Sequence, residues 1–313
     1  MEGIRMKFAA TAVAIGLAGF TVAAPVGQAM AQQITGAGSS FAAPIYSKWG
    51  EASSSATGVQ LNYQAVGSGA GINQINNRTV DFGASDMPVA ADQLTAHKLM
   101  QFPTVIGGVD IIVNLPGIKP NELKLTGPIL ADIYLGKISK WNDKAIAEVN
   151  PGLKLPSTAI APVHRADGSG TTFVFTDYLS LQSPEWKDKV GASTSVSWPN
   201  GAGAKGSDGV AATVRQIPGG IGYDESAYAE QNHLTTAMMR NADGKFVAPT
   251  MAAFEASAAI FRLLRISSLL QKPEKNKGNP QSASIPTAYV AKVIGMSLRS
   301  PPMRRISCSP EQP

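Results

Sequence analysis

The chain has 313 residues, of which 44% are hydrophobic, and a formal net charge of +5. This hydrophobic content argues against a largely disordered chain, and the length is sufficient for two domains of ordinary size. The positive charge does not indicate a nucleic-acid surface, because residues 260–313 hold nine basic and two acidic side chains, whereas residues 32–259 hold 16 basic and 19 acidic ones.

The first 31 residues have the pattern of an export signal. Arg5 and Lys7 precede an apolar stretch over residues 8–24, and residues 29–31 (Ala-Met-Ala) have the small-x-small form of a cleavage site. The apolar stretch is shorter than the roughly 20 residues that a membrane span needs. No cysteine follows the cleavage site, so a lipid acceptor is lacking. We therefore expect a soluble, exported chain that begins at Gln32.

Short apolar segments alternate with helical patterns from residue 34 to about residue 243. Segments rich in Val, Ile and Tyr predict strands over residues 61–66, 105–114, 160–164 and 220–223. Helical patterns between them predict helices over residues 41–53, 72–77, 91–100, 128–136, 172–181 and 209–216. This alternation predicts an α/β fold with mainly parallel strand pairing.

Clusters of glycine and hydroxyl residues recur where a predicted strand passes into a predicted helix. They lie at residues 36–40 (Gly-Ala-Gly-Ser-Ser), 67–71 (Gly-Ser-Gly-Ala-Gly) and 167–171 (Asp-Gly-Ser-Gly-Thr). A helix N-terminus has unpaired N–H groups and a partial positive charge, and small residues let an anion approach it. One such cluster is more typical of an ordinary capped helix, but three in one α/β chain predict an oxyanion site.

Two kinds of charged side chain stand beside these clusters. Arg165 lies four residues before Ser169, and its planar guanidinium matches two oxygens of a phosphate or sulfate. Asp167 could orient this guanidinium by pairing with it. Asp86 would repel a fully ionised anion but would accept a hydrogen bond from a P–OH group. The pattern therefore favours a protonated oxyanion over sulfate.

With these clusters and charged residues, the chain resembles the periplasmic phosphate-binding proteins of the bacterial high-affinity phosphate ABC importer. The resemblance runs from about residue 35 to about residue 258. It is carried by the segments 36–38, 62–64, 80–86, 101–108, 132–137, 165–171 and 218–223. The resemblance implies that the chain binds inorganic phosphate in the periplasm and delivers it to the membrane-embedded permease subunits of an importer.

The resemblance also implies a set of phosphate contacts. The implied ligands are Ser40, the N–H group of Phe41, Ser68, Asp86, Arg165, Ser169, the N–H group of Gly170, and Thr171. Asp167 is implied to orient Arg165. Ser39 is adjacent to Ser40, so the register of the first hydroxyl contact is open by one residue.

The implied architecture is a type II periplasmic binding protein, in which two α/β domains are joined by a hinge and the ligand lies in the cleft. Residues 32–105 would form the first part of domain one, and residues 106–248 would form domain two. Residues 249–313 would be expected to return to domain one. We expect a monomer.

The resemblance ends at about residue 258. Residues 260–313 diverge, and their basic, proline-containing composition predicts disorder over much of this tail. A shifted reading frame near codon 259 is a hypothesis that accounts for the abrupt change. Such a tail would weaken the completion of domain one.

Two other classes of function remain as alternatives. A binding protein for another oxyanion, such as sulfate or molybdate, would share the helix N-termini but not the need for Asp86. A phosphatase-like enzyme is less favoured, because residues 168–170 (Gly-Ser-Gly) lack the Gly-x-Ser-x-Gly form of a nucleophile elbow. The three histidines show no metal-ligand spacing and Cys308 is the one cysteine, so we expect no metal, cofactor or catalytic residue.

Overall fold

The computed structural model describes residues 32–257 and the backbone of residues 292–299. The predicted export signal, residues 1–31, lies outside the described residues, as does most of the divergent tail. The described residues from Gln32 onward belong to one compact unit. Among the described helices, none combines the length and apolar character needed to cross a bilayer.

Two five-stranded sheets form the centre of the fold. The first has the strand order β2-β1-β3-β13-β4, and the second has the order β10-β5-β9-β7-β8. The strands of the first sheet are β1 (Gln33–Gly38), β2 (Gln60–Gln64), β3 (Phe82–Ser85), β4 (Leu99–Gly107) and β13 (Lys292–Arg299). Those of the second are β5 (Val109–Val113), β7 (Ala161–Arg165), β8 (Ala202–Ala204), β9 (Gly220–Glu225) and β10 (Thr235–Thr236).

A small third sheet has the order β12-β11-β6, with β6 (Lys124–Leu125), β11 (Met238–Arg240) and β12 (Phe246–Val247). Helices connect the strands and cover the sheets. They are α1 (Ala43–Thr57), α2 (Ser68–Asn76), α3 (Ala91–Ala96), α4 (Gly127–Tyr134), α5 (Lys144–Val149), α6 (Gly170–Gln182), α7 (Pro184–Lys189), α8 (Gly206–Gln216) and α9 (Ser226–Gln231). Residues 251–257 are also helical.

The predicted α/β fold is confirmed, but the expectation of mainly parallel pairing was wrong. β1 pairs in parallel with β2 and β3, and β7 pairs in parallel with β8 and β9. In contrast, β5 is antiparallel to β9 and β10, and β13 is antiparallel to β3 and β4. β13 is far from β3 and β4 in the chain, so local sequence patterns do not encode its antiparallel pairing with them.

Two predicted boundaries also differ from the structure. The apolar run over residues 105–114 forms two strands, because the chain passes from the first sheet to the second at Gly108. A Cβ atom on Gly108 would lie 2.1 Å from the Phe254 ring, so only glycine fits at this crossing. The predicted helix over residues 91–100 ends at Ala96, and Lys98 takes a left-handed conformation (φ 50°) before β4 begins.

Within the tail, residues 292–299 form β13 between β3 and β4. The disorder expected over the rest of residues 260–313 falls outside the described residues. The two sheets separate near the predicted domain boundary, since β4 ends at Gly107 and β5 begins at Val109. The division into hinged domains itself stays a prediction.

Aromatic side chains pack the space between the second sheet and its helices. Phe175 of α6 stacks on Tyr223 of β9 with ring centroids 4.2 Å apart, and Tyr134 of α4 meets Phe175 edge-on at 5.0 Å. Trp198 stacks on the rings of Phe175 and Tyr223, and also on His164 of β7. This packing holds α6 against β9, the neighbour of β7, and the third glycine cluster lies between β7 and α6.

Candidate functional site

The first glycine cluster forms the turn between β1 and α1. Gly38 has φ 139°, and a Cβ atom there would lie 2.1 Å from the carbonyl oxygen of Ala84. This close approach of β1 to β3 brings the hydroxyl of Ser39 to 2.5 Å from Oδ1 of Asp86, to which it donates. Ser39, Ser40 and Asp86 are all buried.

The second cluster forms the start of α2. Ser68 is the first residue of this helix, and its Oγ accepts hydrogen bonds from the N–H of Asp86 at 3.3 Å and from the N–H of Gly170 at 3.1 Å. Gly170 belongs to α6, so Ser68 links the starts of two helices that follow strands of different sheets.

The third cluster forms the start of α6. Ser169 is the N-cap residue, and its Oγ accepts the N–H of Thr172 at 3.1 Å. Thr171 Oγ1 lies 3.5 Å from Oδ2 of Asp86 and donates to it. Each carboxylate oxygen of Asp86 therefore accepts a hydrogen bond from one hydroxyl group. Ser39 donates to Oδ1, and Thr171 donates to Oδ2.

Glycines allow the second and third clusters to touch. Gly69 N–H donates to the carbonyl oxygen of Gly168 at 2.9 Å, and a Cβ atom on either glycine would lie within 3.3 Å of the other's Cα. A Cβ atom on Gly170 would lie 2.5 Å from Cβ of Asp86 and 2.6 Å from Oγ of Ser68. Side chains at these positions would hold the two loops apart.

Arg165 and Asp167 form an ion pair at the end of β7, in which the Arg165 side chain is buried and that of Asp167 is partly buried. Nε of Arg165 donates to Oδ1 of Asp167 at 2.8 Å, and Nη2 donates to Oδ2 at 2.5 Å. Burial alone would raise the pKa of Asp167, but the hydrogen bonds and charge of Arg165 hold it below its ordinary value. This pairing fixes the plane of the guanidinium and partly neutralises it.

The structure therefore places every predicted site residue in one region where three helices begin. Ser68, Asp86, Gly170 and Thr171 are joined by hydrogen bonds, as above. The ring of Phe41 packs where β4 ends, 2.9 Å from the position that a Cβ atom on Gly107 would occupy. Of the two adjacent serines, Ser39 contacts Asp86, whereas Ser40 Oγ lies 2.9 Å from Ser207 Oγ.

Sequence analysis missed Ser207 and Tyr228. Ser207 N–H donates to Ser40 Oγ at 3.3 Å, and the Tyr228 hydroxyl donates to the Ser40 carbonyl oxygen at 2.8 Å. The signal for Ser207 was present in the sequence. Residues 206–207 (Gly-Ser) follow β8 and begin α8, which repeats the glycine and hydroxyl pattern of the other clusters.

The site can bind a small oxyanion through hydroxyl and N–H donors, with one guanidinium and one carboxylate. Three of the helices that start here, α1, α2 and α6, have 15, 9 and 13 residues, which is long enough to direct a positive helix end toward a ligand. Within residues 32–257 and 292–299, no group of three or more His, Cys, Asp or Glu could hold a metal ion.

Known periplasmic binding proteins share this fold. The model of the PBP superfamily domain matches residues 23–284. Among solved structures, a periplasmic phosphate-binding protein (PfluDING) bound with phosphate has a TM-score of 0.61 at 22% identity, covering 85% of this chain and 80% of that one. A phosphate-binding protein from Stenotrophomonas maltophilia has a TM-score of 0.57 at 20% identity, covering 86% and 79%. The fold is that of a type II periplasmic binding protein.

Relatives with higher sequence identity define the family within this class. Phosphate-binding protein PstS of Pasteurella multocida is 56% identical over 229 residues, which are 73% of this chain and 67% of that protein. PstS of Xylella fastidiosa (strain Temecula1) is 55% identical over 232 residues, 74% of this chain. The chain belongs to the family of the phosphate-binding proteins PstS. It spans 64% of the length of the Xylella relative.

The contact between the second and third clusters predicts the effect of a single methyl group. Gly170→Ala should destabilise the fold by about 1–3 kcal/mol, because the new Cβ atom overlaps Asp86 and Ser68. Gly209→Ala in α8 is the matched control: its Cβ atom would meet neighbours only at 3.6 Å, and the helix should gain up to about 1 kcal/mol. Urea unfolding followed by circular dichroism measures both. Equal stabilities for the two variants would contradict the observed contact.

Proposed function

We propose that this protein binds inorganic phosphate in the periplasm and delivers it to the membrane-embedded permease subunits of an ABC importer. The observation that carries the proposal is the position of Asp86, a buried carboxyl group that contacts residues of the glycine clusters at the starts of three helices. The names of the PstS relatives, and of structural neighbours that bind phosphate, support the same ligand.

Asp86 supports phosphate over other oxyanions. Sulfate and molybdate carry no proton at neutral pH, so each would place an oxygen lone pair against the carboxylate. Monohydrogen and dihydrogen phosphate offer a P–OH group, which donates to the carboxylate instead. The same group that rejects sulfate therefore contributes a hydrogen bond to phosphate.

The proposed contacts combine charge and hydrogen bonding. Arg165 supplies the one guanidinium, and its hydrogen bonds to Asp167 orient it before the anion arrives. The proposed donors to the remaining oxygens are the hydroxyls of Ser40, Ser68, Ser169 and Thr171 and the N–H groups of Phe41 and Gly170. The hydroxyl of Ser39 adds a hydrogen bond to Asp86 and holds its carboxylate in place.

The contacts of His164 favour a binding protein over a hydrolase. A nucleophilic Ser169 would need a general base, and His164 is the histidine nearest to it in the chain. The ring of His164 instead stacks on Trp198 with centroids 4.6 Å apart, and its Nδ1 lies 3.2 Å from the Arg165 carbonyl oxygen. We therefore propose that the protein is not an enzyme.

The proposal also covers the export of the protein to the periplasm and its oligomeric state. A cleavable export signal over residues 1–31 would carry the chain to the periplasm, where one chain would capture one phosphate as a monomer. Closing of two hinged domains, with a boundary near residues 105–106, would then present the loaded protein to the permease.

Calorimetric titration of residues 32–313, after removal of bound ligand, tests this function. Phosphate should bind with a dissociation constant of about 1 μM or less, which corresponds to about 8 kcal/mol, whereas sulfate should release no heat. The proposal would be refuted if the chain unfolds cooperatively but does not bind phosphate, or if it binds sulfate equally well.

The selectivity role of Asp86 is tested by Asp86→Asn. The ratio of phosphate affinity to sulfate affinity should fall by about 100-fold, because the like-charge contact with sulfate, which costs several kcal/mol, is removed. Asp81→Asn is the control, since Asp81 lies in the same segment and its Oδ2 accepts the N–H of Thr35 in an exposed position. An unchanged ratio in Asp86→Asn would show that another group selects the anion.

A further inference from the structure

Ser40 is held by residues that follow the second sheet, although it follows a strand of the first. It lies in the turn between β1 and α1. Its Oγ lies 2.9 Å from Ser207 Oγ and accepts the Ser207 N–H at 3.3 Å, and its carbonyl oxygen accepts the Tyr228 hydroxyl at 2.8 Å. Ser207 lies in the first turn of α8, and Tyr228 lies in α9, which follows β9. All three residues are buried, so these hydrogen bonds are shielded from water.

The adjacent serine is held in a different way. Ser39 N–H donates to the carbonyl oxygen of Ala84 in β3 at 3.0 Å, and the Ser39 carbonyl oxygen accepts the hydroxyl of Tyr63 in β2 at 2.7 Å. Its own hydroxyl donates to Asp86, which follows β3. The contacts of Ser39 are therefore made by the first sheet and the turn after it, whereas those of Ser40 exist only while the two sheets lie close together.

The first turn of α8 connects Ser40 with the guanidinium of the site. Gly206 N–H donates to Oδ1 of Asp167 at 2.9 Å, and the same oxygen accepts Nε of Arg165 at 2.8 Å. Gly206 has φ 70°, a conformation that favours glycine. The next N–H group, that of Ser207, donates to Ser40. Two successive N–H groups therefore link a proposed ligand after the first sheet to the ion pair of the second.

We propose that Ser207 and Tyr228 are positioning residues: they hold Ser40 in the anion site and hold the two sheets together over bound phosphate, without contacting phosphate themselves. The inference rests on the proposed function, because it requires phosphate at Ser40 and closing of the two domains. In the open form these groups would be hydrated, so their hydrogen bonds would form only after the anion has entered. Their loss should therefore speed the release of phosphate and leave its entry unchanged.

Tyr228→Phe tests this role with little disturbance of the fold. The variant loses one hydroxyl, and the Ser40 carbonyl oxygen keeps the N–H of Ala43 as a donor at 3.3 Å. Release of radiolabelled phosphate into excess unlabelled phosphate, followed by rapid filtration, should become about fivefold faster, the loss expected for one hydrogen bond. The association rate, calculated from the release rate and the calorimetric dissociation constant, should stay within about twofold of the wild type.

Tyr46→Phe is the matched control. Tyr46 is also buried, and its hydroxyl is hydrogen-bonded to Thr104 Oγ1 at 2.8 Å, between α1 and β4 on the side of the first sheet. Each of the two variants loses one buried tyrosine hydrogen bond, so urea unfolding should show similar losses of stability. Tyr46→Phe should nevertheless release phosphate at the wild-type rate, because its hydrogen bond does not join the two sheets.

A double-mutant cycle shows whether Ser207 acts through Ser40. Ser207→Ala should speed phosphate release about fivefold in the wild-type chain but not in a Ser40→Ala chain, because its Oγ partner is then missing. The proposal is overturned if either Tyr228→Phe or Ser207→Ala releases phosphate at the wild-type rate, if Tyr46→Phe releases it as fast as Tyr228→Phe, or if Ser207→Ala keeps its full effect in the Ser40→Ala chain. Failure of the wild type to bind phosphate would instead refute the proposed function, and the role of both residues with it.

Discussion

The site depends on the contact between Gly69 and Gly168, where two loops meet backbone to backbone. One loop follows β2 of the first sheet, and the other follows β7 of the second. Because neither glycine carries a side chain, Gly69 N–H reaches the carbonyl oxygen of Gly168 at 2.9 Å, and Ser68 Oγ reaches the N–H of Gly170. Donors from separate sheets thereby converge on the same small volume around Asp86. Wider separation of the loops would leave each helix N-terminus acting alone.

The electrostatics around this contact are unusual for an anion site, because acidic groups outnumber the single guanidinium. Asp167 is kept ionised by Arg165, and the pair is nearly neutral. Asp110 and Glu225 behave in the opposite way, since burial raises the pKa of each to about 7. Together with Asp224, whose pKa burial also raises, they form an acidic group on β5 and β9 whose charge is reduced near neutral pH. Less negative charge therefore remains on these two strands than the number of carboxyls implies.

Much of this arrangement could be predicted from local sequence, because turn chemistry is local. Glycine and serine at a strand-to-helix junction specify a tight turn and a cap, so the pattern predicted the clusters that contain Ser68, Ser169 and Gly170. Their roles as individual ligands came from the resemblance and stay predictions. Tyr228 was missed because it meets Ser40 across 188 residues of chain, and the glycine and hydroxyl pattern at residues 206–207 does not show that Ser207 meets Ser40 across 167 residues. The break at Gly108 depends on the ring of Phe254, and the place of β13 depends on pairing with β3 and β4. Tertiary packing decides such features, and no window of sequence contains them.

A crystal structure of the chain grown with phosphate would show whether one anion is held by groups from both sheets. We expect a tetrahedral anion that contacts the Asp86 carboxyl, the Arg165 guanidinium, the Ser40 hydroxyl and the Gly170 N–H together. Phosphate bound elsewhere, or bound by residues of one sheet alone, would contradict it.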